Sequence, residues 1–102
     1  KRMLIRAVGP SLALAGVPGV LARPVLSLFA GSQLIAQNAD VGTSPDAAAI
    51  TAAIADSGAF NLSVGAADSA LIVNLAPGLY TAQITSADGG TGTALLEFYE
   101  LP

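Results

Sequence analysis

Few residues in this 102-residue chain could do chemistry, and most of those are carboxylates. His and Cys are both absent. That removes imidazole acid–base catalysis, thiol nucleophiles, disulfides and almost every zinc, haem or iron–sulfur site. A serine nucleophile needs a base beside it, and without His only Lys1 is on offer. Seven acids could still contain the carboxylate pair of a glycosidase. Trp is absent, however, and Phe29, Phe60, Phe98, Tyr80 and Tyr99 are the only aromatics. They lie in strand-like runs and read as core rather than as a sugar platform. Asp40, Asp46, Asp56, Asp68 and Asp88 could supply calcium oxygens, of which the ion takes about six to eight. There is no Asp-x-Asp-x-Asp run, and Asp88-Gly89-Gly90 reads as a hairpin turn. Gly89-Gly90-Thr91-Gly92 joins two strands, whereas a phosphate cradle leads into a helix. No catalytic residue, cofactor or metal site is assigned, and a small-molecule ligand is not expected.

One pair stands out. Arg6 and Glu97 fall in the middle of the first and last strand-like runs. If those runs pair, the guanidinium can meet the carboxylate and pin them together. A binding role for Arg6 is the alternative. All four basic residues (Lys1, Arg2, Arg6, Arg23) lie in the first 23 positions, and all seven acids lie at 40 or later. Two readings of this separation stand. The charges pair within the chain, or a basic surface docks on an acidic one of the next copy. On the second reading Lys1, Arg2, Arg23 and Glu100 are candidate assembly contacts.

The elements that must position these residues are short strands. Met3–Val8 is the first, closed by Gly9-Pro10. Residues 11–24 are irregular, with Ser11 able to cap one turn over Leu12–Ala15. Val25–Ala30 and Gln33–Asn38 flank a Gly31-Ser32 turn, a hairpin signature. Ser44-Pro45-Asp46 predicts a helix start, with Ser44 as cap, and the Ala-rich run to Ser57 carries Ile50 and Ile54 on one face. Gly58 is the stop. The alternative for this run is a loop with a strand over 50–54. Phe60–Val64, Ser69–Leu75, Leu79–Thr85 and Thr93–Leu101 are read as further strands. The last carries Ala94, Leu96 and Phe98 on one face. About seven short strands at these spacings predict an all-β, antiparallel β-sandwich of immunoglobulin-like or jelly-roll-like type, with one short helix near 45–57. Residues 1–102 show no internal repeat or linker and are read as a single domain.

Hydrophobic residues are 53% of the chain and charged residues 11%, against roughly 25% charged in an ordinary domain. Mean hydropathy is +0.66. A spanning helix needs about 20 apolar residues in a row. Residues 7–22 and 69–87 are interrupted by Pro, Gly, Asn and Gln, so no membrane span is expected. Alanine, 21 residues in all, inflates the apolar fraction and buries little area. Four basic residues and a net charge of -3 argue against nucleic acid. A surface built from Ser, Thr, Asn, Gln, Gly and Ala repels its neighbours weakly and favours association. Lys1-Arg2 leads straight into a strand-like run with no small-residue cleavage site after it, so no signal peptide is read and the chain reads as a mature or excised segment.

A set of motifs runs along the chain in order. They are Arg6-Ala7-Val8-Gly9-Pro10-Ser11-Leu12, Gly16-Val17-Pro18-Gly19-Val20-Leu21 and Pro24-Val25-Leu26. Then come Gly58-Ala59-Phe60-x-Leu62, Asp68-x-Ala70-Leu71, Leu75-x-Pro77-Gly78-x-Tyr80-Thr81 and Thr91-Gly92-x-Ala94-Leu95-x-Glu97-x-Tyr99. In these the chain resembles a β-rich repeat module of secreted and surface proteins of environmental bacteria. The module often has Asn-Asp-x-Trp after its third strand, where this chain has Asn38-Ala39-Asp40-Val41 and no Trp. The resemblance implies an extracellular or cell-surface location and a structural or adhesive role without catalysis. The expected function is a non-enzymatic structural module, part of a tandem-repeat surface protein or a self-assembling extracellular fibre, with copies of itself as partners. A monomeric glycan- or protein-binding module, or an accessory domain of a secreted enzyme, is the alternative.

Overall fold

Strand β1 (Arg2–Val8) organises the molecule, and Leu4 to Val8 are all buried. Successive side chains of a strand point to opposite faces, so a strand buried along its length must be covered on both. The computed structural model, which describes residues 1–63 and 65–102, shows what covers it. Leu4 packs in a cluster with Ile50, Ala53 and Ile54 of a helix, α1 (Ala47–Ser57), together with Ala70 and Leu101. Ile5 and Ala7 pack in a second cluster with Leu26 and Leu28 of β2 (Pro24–Ala30).

The remaining strands are β3 (Gln33–Asn38), β4 (Ser69–Asn74), β5 (Tyr80–Ser86) and β6 (Leu95–Glu100). They form two three-stranded sheets, ordered β4-β1-β6 and β3-β2-β5, and every pairing is antiparallel. In the first sheet Arg6 stands opposite Ala70 on one side and Glu97 on the other. In the second, the β2–β3 register shifts by one residue between Leu28 and Phe29. β5 alternates as its sequence does, with Tyr80, Ala82 and Ile84 turned to the second cluster and Thr81, Gln83 and Thr85 exposed.

Three expectations need correction. There are six strands among the described residues, not seven. Phe60–Ser63 forms no strand, and Val64 lies outside the described residues. The Phe60 carbonyl instead accepts a hydrogen bond from a side chain, described below. The helix begins after Asp46 rather than after Ser44. The Ser44 hydroxyl accepts from the Asp46 N–H at 3.1 Å, making a local turn that delays the first helical residue. Ser11 caps nothing: the turn at Pro10–Ala15 is a 3-10 helix entered from Gly9 without a side-chain cap. Gly58 ends α1 at φ 77°, as a glycine stop does. No helix among the described residues is long and apolar enough to cross a membrane.

Candidate functional site

The mostly buried side of the β1 sheet carries a charged side chain, and its surroundings explain how it survives there. Arg6 has no solvent exposure. An isolated charge so placed would cost many kcal/mol, so it needs both a counter-ion and acceptors. The antiparallel register supplies the counter-ion. Arg6 Nε donates to Glu97 Oε1 at 3.0 Å, and Nη2 lies 2.8 Å from the same oxygen but off the hydrogen-bond line. Nη1 donates to the Phe60 carbonyl at 2.6 Å. The Phe60 ring centroid is 4.5 Å from the guanidinium carbon and that of Tyr99 is 5.9 Å away, so aromatic rings flank the cation. Tyr99, two residues from Glu97 on the same face of β6, donates its hydroxyl to Glu97 Oε2. That bond, reinforced by burial, raises the Tyr99 pKa above the usual tyrosine range.

A second polar network lies where β1 turns into the 3-10 helix. Asp68 is fully buried. Its Oδ1 accepts from the Gly9 N–H at 2.8 Å and the Ser11 N–H at 3.2 Å, and its Oδ2 accepts from the Ser11 hydroxyl. The same hydroxyl accepts from the Ser63 N–H at 2.8 Å. The carboxylate therefore ties the Gly9-Pro10-Ser11 turn to the start of β4, and Ser11 extends the tie to the segment after α1. Asp68 was a calcium candidate by sequence, but each of its oxygens takes donors from the chain. The other acids lie apart. Asp40 accepts from the Gly42 N–H at 2.9 Å. Asp88 accepts from the Ser86 hydroxyl and the Gly90 N–H, and these bonds lower its pKa, the Ser86 bond first. Asp46 precedes α1 without a side-chain cap bond, and Asp56 is exposed near its end. Among the described residues no three acidic side chains group together.

Two glycines fix the loop through Val20 and Leu21. A Cβ on Gly9 would stand 2.1 Å from the Leu21 carbonyl oxygen. A Cβ on Gly92 would stand 2.6 Å from the Leu21 nitrogen. The Val20-Leu21 backbone is thus held between the turn after β1 and the lead-in to β6. Hydrogen bonds from Leu21 N–H to the Thr93 carbonyl and from Thr93 N–H to the Gly19 carbonyl, both 2.8 Å, close the contact.

The candidate assembly contacts divide. Lys1 and Glu100 meet each other at 3.4 Å, with both side chains largely in solvent. Arg2 and Arg23 are exposed, and the charge of Arg23 adds slightly to the lowering at Asp88. Sequence reasoning missed Phe60 as the lid and acceptor of Arg6, and Asp68 as the anchor of the Gly9-Pro10-Ser11 turn. The signal for Asp68 was present: a Gly-Pro-Ser turn leaves N–H groups that need an acceptor once buried.

An apolar cavity of about 500 Å³ lies between α1 and the segment after it, lined by Val41, Ile50, Ile54, Leu62, Thr51 and Asn61 among others. No family model, no curated protein and no solved structure matches this chain.

Proposed function

We propose that this chain is a non-enzymatic structural module that works outside the cell or at its surface by associating with copies of itself. The observation that carries the reading is where its strongest polar groups point. Arg6 and Asp68, the two buried ions, face inward, and their partners tie together β1, β4, β6 and the loops beside them. What remains outside is a surface of few charges, which resists contact between copies only weakly. The likeness to secreted repeat modules points the same way. The finer architecture we propose is an antiparallel β-sandwich, because Ile5 and Ala7 of one sheet share a cluster with Leu26 and Leu28 of the other.

Sedimentation velocity over a wide concentration range tests the reading. The expected result is a weight-average mass that rises with concentration. Dispersed monomers at the highest concentration reached would overturn it.

One observation favours a second reading, a monomeric binding module. The cavity beside α1 is of ligand-binding size. Its apolar lining fits a small hydrophobic molecule. An environment-sensitive apolar dye that binds the monomer saturably, and is lost in Ile54→Trp, supports that alternative.

A further inference from the structure

We propose that β6 is the contact edge, and that it pairs antiparallel with β6 of a second copy in a register centred on Phe98. This rests on the self-association reading and gives it a location.

The phase of the β1 sheet decides which backbone groups are free. Leu101 N–H donates to the Arg2 carbonyl, so residues 2 and 101 form a hydrogen-bonded pair. Alternation then directs the N–H and C=O of Tyr99, Glu97 and Leu95 toward β1, and those of Glu100, Phe98 and Leu96 outward. No hydrogen bond among the described residues ends on the outward groups. The β4 edge is different. There the Ala70 N–H donates to Asn38 Oδ1 and the Asp68 carbonyl accepts from Val41 N–H, so the neighbouring β3 end blunts it. The β3 edge carries the register shift. β5 has an open edge, but none of its large apolar side chains is exposed. β6 has no Pro, no Lys and no bulge, the usual guards of an edge. In the middle of its outward set stands Phe98, 53% exposed.

This edge is complementary to itself. Antiparallel alignment on Phe98 sets Phe98 against Phe98 and Leu96 against Glu100. Outward groups then meet outward groups, and about six new hydrogen bonds form. The two Phe98 rings cover each other as a cross-strand pair. The charges agree with this register. Glu97 is held by Arg6 on its own chain. The two Glu100 carboxylates sit at opposite ends of the new ladder, roughly 14 Å apart at ordinary strand rise and beyond the screening length of about 8 Å at physiological salt. Each also has Lys1 beside it. A shift by one residue would set outward groups against inward ones and break the ladder. The product is one continuous sheet, β4-β1-β6 joined to β6-β1-β4, with a two-fold axis at Phe98.

The test compares wild type with Phe98→Lys and Glu100→Pro in sedimentation. Phe98→Lys places a charge at the axis of the pairing. Glu100→Pro removes an N–H that has no partner within the chain, so the monomer keeps its ladder. Both are expected to weaken association at least tenfold while the far-UV circular dichroism of dilute protein stays unchanged. Leu79→Lys, at an exposed position outside β6, should leave association intact. Phe98→Cys should form a covalent dimer on mild oxidation, and Leu34→Cys on β3 should not. If wild type associates but both β6 variants associate equally well, the edge assignment falls and the self-association reading stands. If wild type stays monomeric at every concentration, both fall.

Discussion

At the scale of single residues, Arg6 has the largest consequences. Removing one partner of a buried ion pair leaves the other charge uncompensated, at about 3–5 kcal/mol. Arg6→Met leaves Glu97 with only the Tyr99 hydroxyl, so urea unfolding should show a loss near that range. Removing both charges avoids the orphan. Arg6→Met/Glu97→Leu is expected to recover most of the loss, and a double-mutant cycle reads the coupling. Tyr99 gives the same site a pH signature. Its folded pKa is raised by the bond to Glu97, then by burial. A raised pKa means the folded state holds its proton longer than the unfolded one. The contribution is therefore complete below the unfolded value of about 10 and is lost as pH rises through the folded value. Wild type should lose stability more steeply than Tyr99→Phe above about pH 10 in melts of both proteins. How much of this site a reader of the sequence can see depends on distance along the chain. Arg6 and Glu97 sit in short runs that read as strands from their apolar residues and the glycines that bound them, and pairing the terminal strands brings them together. Phe60 sits in an irregular segment whose apolar residues imitate a strand, and only the tertiary fold shows its carbonyl turned toward Arg6.

At the scale of elements, the short runs bounded by glycine and proline turns were the legible part, and β5 alone also shows a clean alternation. The β2–β3 hairpin, the α1 run with Ile50 and Ile54 inward, and the stop at Gly58 all follow from local pattern. The helix start did not, because Ser44 could bond to the backbone either as a cap or as a turn, and context chose the turn. The loop over residues 16–23 was illegible for another reason: long-range contacts hold it. Those contacts make a sharp prediction about glycines. Gly9 and Gly92 are glycines because the Leu21 backbone approaches them, whereas Gly16 has open space and only a positive φ of 83°. Gly16→Ala should cost about 1–2 kcal/mol, the ordinary left-handed penalty. Gly9→Ala and Gly92→Ala must displace backbone, and each should cost more than Gly16→Ala in thermal melts. Gly92 is solvent-exposed, so a rule based on exposure alone would rank it as harmless. A Gly92→Ala variant as stable as wild type would show that the Val20-Leu21 segment can move aside.

At the scale of the whole molecule, the split of basic residues early and acidic residues late acquires a cause. β1 and β6 are neighbours in one antiparallel sheet, so residues near the two ends of the chain are brought together. Lys1 meets Glu100 and Arg6 meets Glu97 within one copy. Segregation along the sequence is thus cancelled in space for two of the four basic residues, while Arg2 and Arg23 stay exposed. This separates the two ways copies could associate. A basic surface docking on an acidic one would weaken steeply with salt, because exposed charges are screened within about 8 Å at physiological ionic strength. An edge pairing made of backbone hydrogen bonds and Phe98 contact involves no net transfer of charge across the interface. Sodium chloride from low to high concentration should therefore change the association constant by less than about threefold, well under the tenfold that 1.4 kcal/mol represents. Sulfate, which strengthens the burial of apolar surface, should favour the associated form. Association that dissolves in modest sodium chloride would return Lys1, Arg2 and Arg23 to the interface and remove β6 from it.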